Sequence, residues 1–320
     1  MGLFDFLTET IGIDLGSQNL RIIHKEKLVY NEPSIISVNV KDGTVSGIGQ
    51  SIKHLEGHSI IKPVNYVIGD FQAAEEMLKG AISIGINKGS IWKPSLKMFF
   101  VVPSSSTIVE LRAYRDSAEH SGAKEVHMVH ACFAAAIGMA ILFEKKDFIL
   151  IDFSASKIEM TIFADSIPIA ARTLRLGTWQ INSLVKNYLN REHSVKLSDA
   201  ELEKFVFSLS ERDENTEIQI HGKTISMKVI DELLNHYFVL ANDVLQEAIE
   251  EATSHIKFNS IKTNGIYYTG GGSLNTYLIN KLNFGLDLKR QASKDPLLDC
   301  TNGIINVMGN PKKYSAYITF

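Results

Sequence analysis

The sequence predicts an α/β fold with two related lobes. Segments with the apolar rhythm of strands alternate with helical segments along the 320 residues, an order typical of α/β proteins. The chain is also long for a single apolar core. An apolar strand that ends in aspartate and a polar turn occurs twice, at residues 11–16 and 148–153. This repeat predicts two similar lobes whose turn aspartates face one cleft.

In the first half of the chain, strands are predicted where buried-type apolar residues cluster, and helices where they recur every three or four positions. The segment 71–84 places Phe71, Ala74, Met77 and Leu78 on one helical face. The predicted strands are residues 11–14, 20–24, 34–40, 97–102 and 125–129. The predicted helices are residues 71–84, 108–120 and 133–143.

The second half follows the same two rhythms. The predicted strands are residues 148–152, 158–163 and 265–269, and the predicted helices are 179–189, 198–210 and 229–256. Ser198 and Glu201 have the spacing of a capping box, which predicts a helix start. The helix at 229–256 carries one continuous apolar stripe. Three glycines at 270–272 follow the last strand and precede a helix that begins near Asn275.

Composition excludes several classes of function. The 33 Lys and Arg against 36 Asp and Glu give a net charge of −3, and no basic stripe with aromatic residues is present, so we expect no nucleic-acid partner. Cys132 and Cys300 match neither a disulfide framework nor a zinc site, which favours a reducing cytoplasm. No apolar run approaches the roughly 20 residues that span a bilayer. Residues 1–7 are too short and acidic for a signal peptide, so any membrane contact is expected to be peripheral.

Short motifs in a characteristic order carry a family resemblance. They are MGLFDFL at 1–7, IDLG at 13–16, NEPS at 31–34, VPS at 102–104, ELR at 110–112, SGAKEV at 121–126, AAAIG at 134–138, TGGGSL at 269–274 and DPL at 295–297. Their order and spacing, over nearly the whole chain, resemble MreB, the rod shape-determining actin homologue of bacteria.

The resemblance implies an actin-like fold that holds ATP or ADP with Mg²⁺ in the cleft. It implies a first lobe of residues 1–145 with 297–320 and a second lobe of 146–296, within which 182–246 form a smaller subdomain. It also implies head-to-tail filaments of this chain or with another MreB, at the inner face of the cytoplasmic membrane, with cell-wall elongation proteins as partners.

The same resemblance assigns the residues that would contact the nucleotide. They are Asp14, Gly16, Ser17, Gln18 and Asn19 in a first phosphate loop, Asp152, Ser154 and Lys157 in a second, Lys204 near the sugar and base, and Gly270, Gly271, Gly272 and Ser273 at the adenosine. Asp14 and Asp152 would hold the waters of a magnesium ion. Each aspartate could instead cap its turn, and the glycines could form only a strand-to-helix turn.

The second phosphate loop departs from the family pattern. The family reads DIGGGTTE, whereas residues 152–159 read DFSASKIE. Without the three glycines, the backbone cannot take up left-handed conformations cheaply, so we expect another loop shape. Lys157 could compensate as a phosphate-binding charge, or it could be an exposed turn lysine. The first loop keeps Gly16 and the Ser17 hydroxyl, so phosphate contact there stays possible.

Further departures affect hydrolysis. The family's water-positioning glutamate falls at Ala131, and loss of a general base typically removes about 10²–10⁴ in rate. His130 is the neighbour that could substitute, although His127 and His130 do not form a metal pair on one face of a strand. Val206 stands where the family has a glutamate near the nucleotide. We therefore expect little or no ATPase activity and no catalytic residue.

Two segments predict membrane contact. Ile91 and Trp92 lie in a polar, glycine-containing segment where the family has an apolar membrane-insertion loop, although Trp92 could fold back onto its own lobe. Leu3 and Phe4 could form the apolar face of a short N-terminal helix, or cover the sheet of the first lobe. One subunit would bind weakly, and a filament would bind tightly through many copies.

Four functions remain open. The first is an MreB-like filament subunit that supports cell shape and wall elongation. The second is a working actin-like ATPase with an atypical phosphate loop. The third is a sugar or acetate kinase of the same superfold, which the order of the motifs disfavours. The fourth is a regulatory pseudo-subunit that modulates another MreB filament.

Overall fold

A computed structural model describes residues 8–52, 56–86, 94–213, 215–283 and 285–319. These residues form two compact units. The first unit consists of the described residues up to Glu144 together with those from Leu298 onward, and the second unit is Lys145–Leu297. Each unit has its own sheet and apolar core and is described by itself.

Strands and helices alternate, which confirms the predicted α/β fold. The strands are β1 (Thr8–Leu15), β2 (Asn19–His24), β3 (Lys27–Pro33), β4 (Ile36–Asn39), β5 (Val45–Ile48), β6 (His58–Ile61), β7 (Val64–Asn65), β8 (Val67–Ile68), β9 (Ser95–Val102), β10 (Ala123–His130), β11 (Phe148–Phe153), β12 (Ile158–Ala164), β13 (Ile167–Leu174), β14 (Glu217–Ile220), β15 (Lys223–Ser226), β16 (Ile266–Thr269), β17 (Arg290–Ala292) and β18 (Ile318–Thr319). The helices are α1 (Phe71–Gly85), α2 (Ile108–His120), α3 (Ala131–Gly138), α4 (Ile141–Lys145), α5 (Thr178–His193), α6 (Asp199–Ser208), α7 (Met227–Thr253), α8 (Phe258–Asn264), α9 (Thr276–Lys281) and α10 (Asp299–Gly309).

The main sheet of the first unit has the order β18-β10-β9-β1-β2-β3. β1, β2 and β3 form an antiparallel meander, and β9 and β10 continue the sheet parallel to β1. Its core includes Ile11, Ile13 and Leu15 of β1 and the apolar face of α1. Asp70 caps α1 by accepting a hydrogen bond from the backbone of Ala73, which places that face from its first turn.

The main sheet of the second unit repeats this pattern with the order β13-β12-β11-β16-β17. β11, β12 and β13 form the meander, and β16 and β17 run parallel to β11. Every residue of β11 and β12 is buried, and the long helix α7 packs against β12 and β13. The repeated strand–turn motif therefore begins the same sheet in both units.

Two predicted elements differ in their bounds. The strand predicted at 34–40 is confirmed as β4, but it is shorter, Ile36–Asn39, and it joins a separate sheet with β5 and β6. Ser34 leaves the main sheet because its N–H donates to the Gln18 carbonyl and its hydroxyl donates to the Gly16 carbonyl. The helix predicted at 133–143 begins earlier, as α3, and breaks at Ala140, whose φ of 60° is left-handed.

Candidate functional site

The first predicted phosphate loop begins at Asp14, near the end of β1. Asp14 lies opposite Arg21 in the β1–β2 hairpin, and Arg21 Nη1 is 3.1 Å from Asp14 Oδ2. The hydroxyl of Thr301, on α10, donates to the same oxygen at 3.2 Å. Each of the two charged side chains is only 13% exposed, so solvent screens the pair weakly. Asp14, predicted to serve a metal ion, therefore has a guanidinium of its own chain as partner.

Backbone contacts hold the rest of this loop. The Gly16 N–H donates to the Asn19 carbonyl at 3.1 Å, and the Gln18 carbonyl accepts from the N–H of Ser34 at 3.0 Å. The side-chain amide of Asn19 donates to Asn31 Oδ1 at 3.0 Å. The predicted contact residues of the loop are thus brought together in one turn, whose shape is fixed by bonds within the first unit.

Ser17 holds a neighbouring segment of the first unit. Its hydroxyl oxygen accepts a hydrogen bond from the backbone N–H of Tyr66 at 2.9 Å. Tyr66 has a φ of 68°, and its own hydroxyl shares a hydrogen bond with that of Ser105. A left-handed tyrosine costs about 1–2 kcal/mol, and these two bonds hold it in place. Ser17 therefore has a structural role that the sequence did not indicate.

The second predicted loop connects β11 to β12. The Ser154 N–H donates to the Lys157 carbonyl at 2.9 Å and closes the turn. The Ser154 hydroxyl donates to Asp152 Oδ1. Residues 153–157 are all described, and none has a positive φ. The turn is thus built without the left-handed positions that glycine makes accessible.

Lys157 is buried, which contradicts the alternative of an exposed turn lysine. Its side chain is 8% exposed, and Nζ lies 3.0 Å from Asp152 Oδ2 and 3.1 Å from Glu159 Oε2. Glu159 lies opposite Asp152 in the hairpin, is 2% exposed, and also accepts from the Thr173 hydroxyl at 3.2 Å. One ammonium therefore bridges two buried carboxylates, and a phosphate would have to compete with both for it.

The first amides of α5 close the hairpin from the other side. The N–H groups of Thr178 and Trp179 donate to the carbonyls of Ser154 and Ala155, at 3.1 Å and 2.9 Å. A Cβ at Gly177 would overlap these carbonyls, so a glycine is needed for this approach. Helix N-terminal amides often bind anions, but here these two amides bind the chain's own turn.

Tyr237, on α7, fixes the backbone just before α5. Its hydroxyl donates to the carbonyl oxygens of Leu176 and Gly177, at 3.2 Å and 3.3 Å. Burial raises the pKa of Tyr237 above its ordinary value. The phenol therefore remains a neutral donor at all physiological pH values.

The glycine turn after β16 packs on the second loop. Gly270 has a φ of 80°, and a Cβ there would overlap Asp152 Oδ1 and the Phe153 carbonyl. A Cβ at Gly272 would lie 2.7 Å from the Phe153 ring. The Ser273 hydroxyl donates to the Gly270 carbonyl at 2.7 Å. The structure therefore brings Gly270, Gly272 and Ser273 together with Asp152.

Gly271 differs from its two neighbours. It is exposed, and the nearest atom to a Cβ there would be Leu297 Cδ2 at 3.3 Å. Packing within the second unit thus excludes a side chain at Gly270 and Gly272 more strictly than at Gly271. A ligand surface at the exposed side of this turn is compatible with that difference.

Lys204 is placed on the exposed side of α6. It lines a shallow pocket with Ser208, Arg212 and His221, at the β14–β15 hairpin. Val206, by contrast, is buried in the core of the second unit. The backbone carbonyl of Val206 accepts from the side-chain amide of Asn275 at 2.9 Å, so the end of α6 is joined to the helix that follows the glycine turn.

Ala131 is the first residue of α3 and is buried. Its neighbour His130 is the N-cap residue, and His130 Nδ1 lies 3.3 Å from the Pro103 carbonyl. Because a carbonyl only accepts, Nδ1 carries the proton in this contact. The next amide, of Cys132, donates to the Ser104 hydroxyl at 3.0 Å. The methyl group of Ala131 offers no atom that could position water.

Several predictions concern metals and membranes. In the described ranges, no group of three or more His, Cys, Asp and Glu side chains is placed to hold a metal ion. No helix among the described residues is long and apolar enough to cross a membrane. The predicted membrane residues Leu3, Phe4, Ile91 and Trp92 lie outside the described residues.

Three residues around the loop aspartates were missed in the sequence. Arg21 and Thr301 contact Asp14, and Glu159 shares Lys157 with Asp152. Two of them follow from hairpin register, since Arg21 is the cross-strand neighbour of Asp14 and Glu159 is that of Asp152. Counting residues back from each turn would have found both. Thr301 lies 287 residues from Asp14, and no local pattern indicates such a contact.

Comparison with known proteins identifies the family. A profile described as MreB/Mbl protein matches residues 8–316. The chain is 26% identical over 311 residues to the cell shape-determining protein Mbl of Bacillus subtilis strain 168, covering 91% of this chain and 92% of Mbl. It is 26% identical over 322 residues to the cell shape-determining protein MreB of Escherichia coli strain K12, covering 92% and 91%.

Solved structures agree on the fold. MreB5 of Spiroplasma citri bound to AMPPNP matches with a TM-score of 0.81 and 23% identity, over 97% of this chain and 98% of that chain. A subunit of the MamK double helical filament matches with a TM-score of 0.68 and 16% identity, over 95% and 99%. The fold is thus actin-like. With a match to the family profile over residues 8–316 and 26% identity to Mbl and to MreB, the chain belongs to the MreB/Mbl protein family.

Proposed function

We propose that this chain is a cell shape-determining, actin-like filament subunit that turns over little or no ATP. The match to the MreB/Mbl profile over residues 8–316 is the observation that carries the filament part of the proposal. Self-assembly by head-to-tail stacking, alone or with another MreB, follows from this kinship and from the filament that MamK forms. In such an interface each subunit uses two different surfaces, so the assembly stays open.

The proposed loss of ATP hydrolysis rests on Ala131. A water that attacks a phosphate needs an acceptor to orient it and take its proton. The residue at this position is a buried alanine at the start of α3. His130 keeps Nδ1 on the Pro103 carbonyl. We therefore expect hydrolysis slower by about 10²–10⁴ than in a relative with the glutamate.

An adenine nucleotide remains the proposed ligand. MreB5 of Spiroplasma citri has been solved with AMPPNP and with ADP, and the glycine turn at 270–272 is retained with its exposed member, Gly271. The first loop contributes Gly16, Ser17, Gln18 and Asn19 to the proposed contacts. Lys204 is the proposed contact at the sugar. A nucleotide that is not cleaved would act as a structural ligand of the subunit.

Filament formation tests the proposal. The purified chain is pelleted at high speed and imaged by electron microscopy with ATP, with ADP and without nucleotide, beside Escherichia coli MreB. We expect filaments that persist with either nucleotide. A chain that stays monomeric under every condition would contradict the proposal. If that monomer shortens or stabilises the filaments of the other MreB, a regulatory subunit is the better description.

We also propose that filaments lie at the inner surface of the cytoplasmic membrane through Ile91 and Trp92, with Leu3 and Phe4 contributing. Trp92→Ala should weaken binding to phosphatidylglycerol-containing vesicles by about tenfold or more in a co-sedimentation titration, because each buried large apolar side chain contributes about 1.5–3 kcal/mol. Ile256→Ala is the matched control, since Ile256 is 93% exposed and lies outside the proposed contact. Equal binding of the Trp92→Ala and Ile256→Ala variants would refute the role of the loop.

A further inference from the structure

The loop aspartates do not fit a divalent cation. A magnesium ion needs carboxylate oxygens that attract it or its waters. In Asp152, Oδ1 accepts from the Ser154 hydroxyl and Oδ2 is 3.0 Å from Lys157 Nζ. Asp14 Oδ2 forms an ion pair with Arg21 and accepts a hydrogen bond from the Thr301 hydroxyl. Each carboxylate already has a cation, supplied by the hairpin on which it lies.

These internal cations are part of the fold and are not surface ion pairs. Arg21 is held opposite Asp14 by the register of β1 and β2. Lys157 is held by the turn and lies between Asp152 and Glu159, with its side chain 8% exposed. Surface pairs hold their partners loosely, whereas these geometries are set by the backbone of each hairpin.

Each unit supplies the cation for its own loop. In the first unit, Arg21 offsets the charge of Asp14. In the second unit, Lys157 lies between Asp152 and Glu159 and offsets one of their two negative charges. A divalent cation added to a loop would in turn be repelled by the guanidinium or ammonium a few ångströms away.

We propose that Arg21 in the first loop and Lys157 in the second each exclude a divalent cation from the aspartate of its own hairpin, so that this chain binds adenine nucleotide without magnesium. The inference rests on the proposed nucleotide binding and adds to it the source of positive charge. Arg21 offers a planar donor set suited to phosphate oxygens, and Lys157 offers a point charge. Because the chain itself provides both charges, a chelator should leave nucleotide affinity unchanged.

Titration calorimetry of the wild-type chain with ATP tests this directly. The dissociation constant is measured in excess Mg²⁺ and again in excess EDTA. We expect the two dissociation constants to agree within about threefold. A loss of tenfold or more in EDTA would overturn the magnesium-independence and leave the nucleotide proposal standing. Absence of binding in both buffers would overturn the two together.

Variants assign the effect to the two cations. In Arg21→Leu and Lys157→Met, affinity in EDTA should fall about tenfold or more, as expected for a lost charge-assisted bond to phosphate. Mg²⁺ should restore part of it to Arg21→Leu, because Asp14 is then without its guanidinium. Arg172→Leu is the control, since Arg172 pairs with Glu247 and Glu251 on the exposed side of α7.

Folding is checked by circular dichroism for each variant. Unchanged affinity in EDTA for folded Arg21→Leu and Lys157→Met would contradict the proposal. Should one of these variants fail to fold, the comparison of the wild-type chain in Mg²⁺ and EDTA still decides it.

Discussion

At the scale of single residues, the chain depends on charges that its own hairpins neutralise. Lys157 is the clearest case, because it lies between two carboxylates that are almost fully buried. Burying a carboxylate without a partner costs several kcal/mol, whereas a bridged pair satisfies the charge locally. The same lysine that was considered as a phosphate ligand is therefore first a structural cation of the β11–β12 hairpin.

Lys157→Met should lower the free energy of unfolding by about 3–5 kcal/mol, because Asp152 and Glu159 lose their common cation. The measurement is urea denaturation followed by circular dichroism. Lys186→Met is the matched control, since Lys186 pairs with Asp199 on the surface with its side chain 46% exposed, and such pairs contribute about 0–1 kcal/mol. Equal losses in the two variants would show that the buried bridge has no special role.

Gly270→Ala should destabilise the chain by about 3 kcal/mol or more. The left-handed backbone costs alanine about 1–2 kcal/mol, and the added Cβ would overlap Asp152 Oδ1 and the Phe153 carbonyl. Gly222→Ala separates these causes, because Gly222 also has a positive φ, of 71°, but no atom within 4 Å of its Cβ position. Denaturation midpoints that shift equally would mean that the contact with the second loop is unimportant.

At the scale of elements, α3 and α10 form the closest helix pair of the first unit. Gly138 of α3 and Gly303 of α10 let the two backbones touch, since a Cβ at either position would overlap the backbone of the other helix. α10 also supplies Thr301 to Asp14. This helix pair therefore positions the first loop as well as the core around it.

Gly138→Ala should reduce the free energy of unfolding by about 1–3 kcal/mol or more, the usual cost of overpacking. Gly80→Ala is the control within another helix, because its Cβ would meet only the end of the flexible Ile48 side chain, at 2.8 Å. Alanine favours a helix by up to about 1 kcal/mol over glycine, so this control should be neutral or slightly stabilising. Thermal denaturation compares the two, and a neutral Gly138→Ala would refute the close packing.

Among the described residues, most of the helices and eight of the 18 strands could be predicted from the sequence. Apolar periodicity gave α1 and α2 almost to the residue, and the Ser198–Glu201 capping box gave the start of α6. The errors occurred where tertiary contacts outweigh local pattern. Ser34 donates hydrogen bonds to the Gly16 and Gln18 carbonyls, so the predicted strand begins only at Ile36. No apolar periodicity predicts the left-handed conformation of Ala140.

The candidate site was less predictable than the fold. The positions of Asp14, Asp152 and the glycine turn could be proposed from the family resemblance, whereas Arg21 and Glu159 follow only from the hairpin register and Thr301 from no local pattern. Whether Lys157 binds a phosphate or a carboxylate depends on how deeply its side chain is buried. A local sequence pattern does not reveal that burial. The contact of Thr301 with Asp14 depends on the return of the chain to the first unit.

At the scale of the whole molecule, the main sheet of each unit begins with the same strand–turn motif, and each loop aspartate has a cation from its own hairpin. Together with the kinship to MreB and Mbl, these features support one account. The actin-like fold alone does not choose a function, because the same fold hosts unrelated activities. The kinship supports a shape-determining filament subunit. The buried Ala131 and the occupied loop aspartates support a subunit in which assembly is not driven by ATP cleavage.

Phosphate release from ATP under filament-forming conditions tests that central claim most directly. The chain and Escherichia coli MreB are assayed at equal subunit concentration with Mg²⁺, and filaments are confirmed in the same samples. The account predicts release at about one hundredth of the relative's rate or less, in keeping with a missing water-positioning carboxylate. Filaments that release phosphate as fast as those of the relative would contradict it.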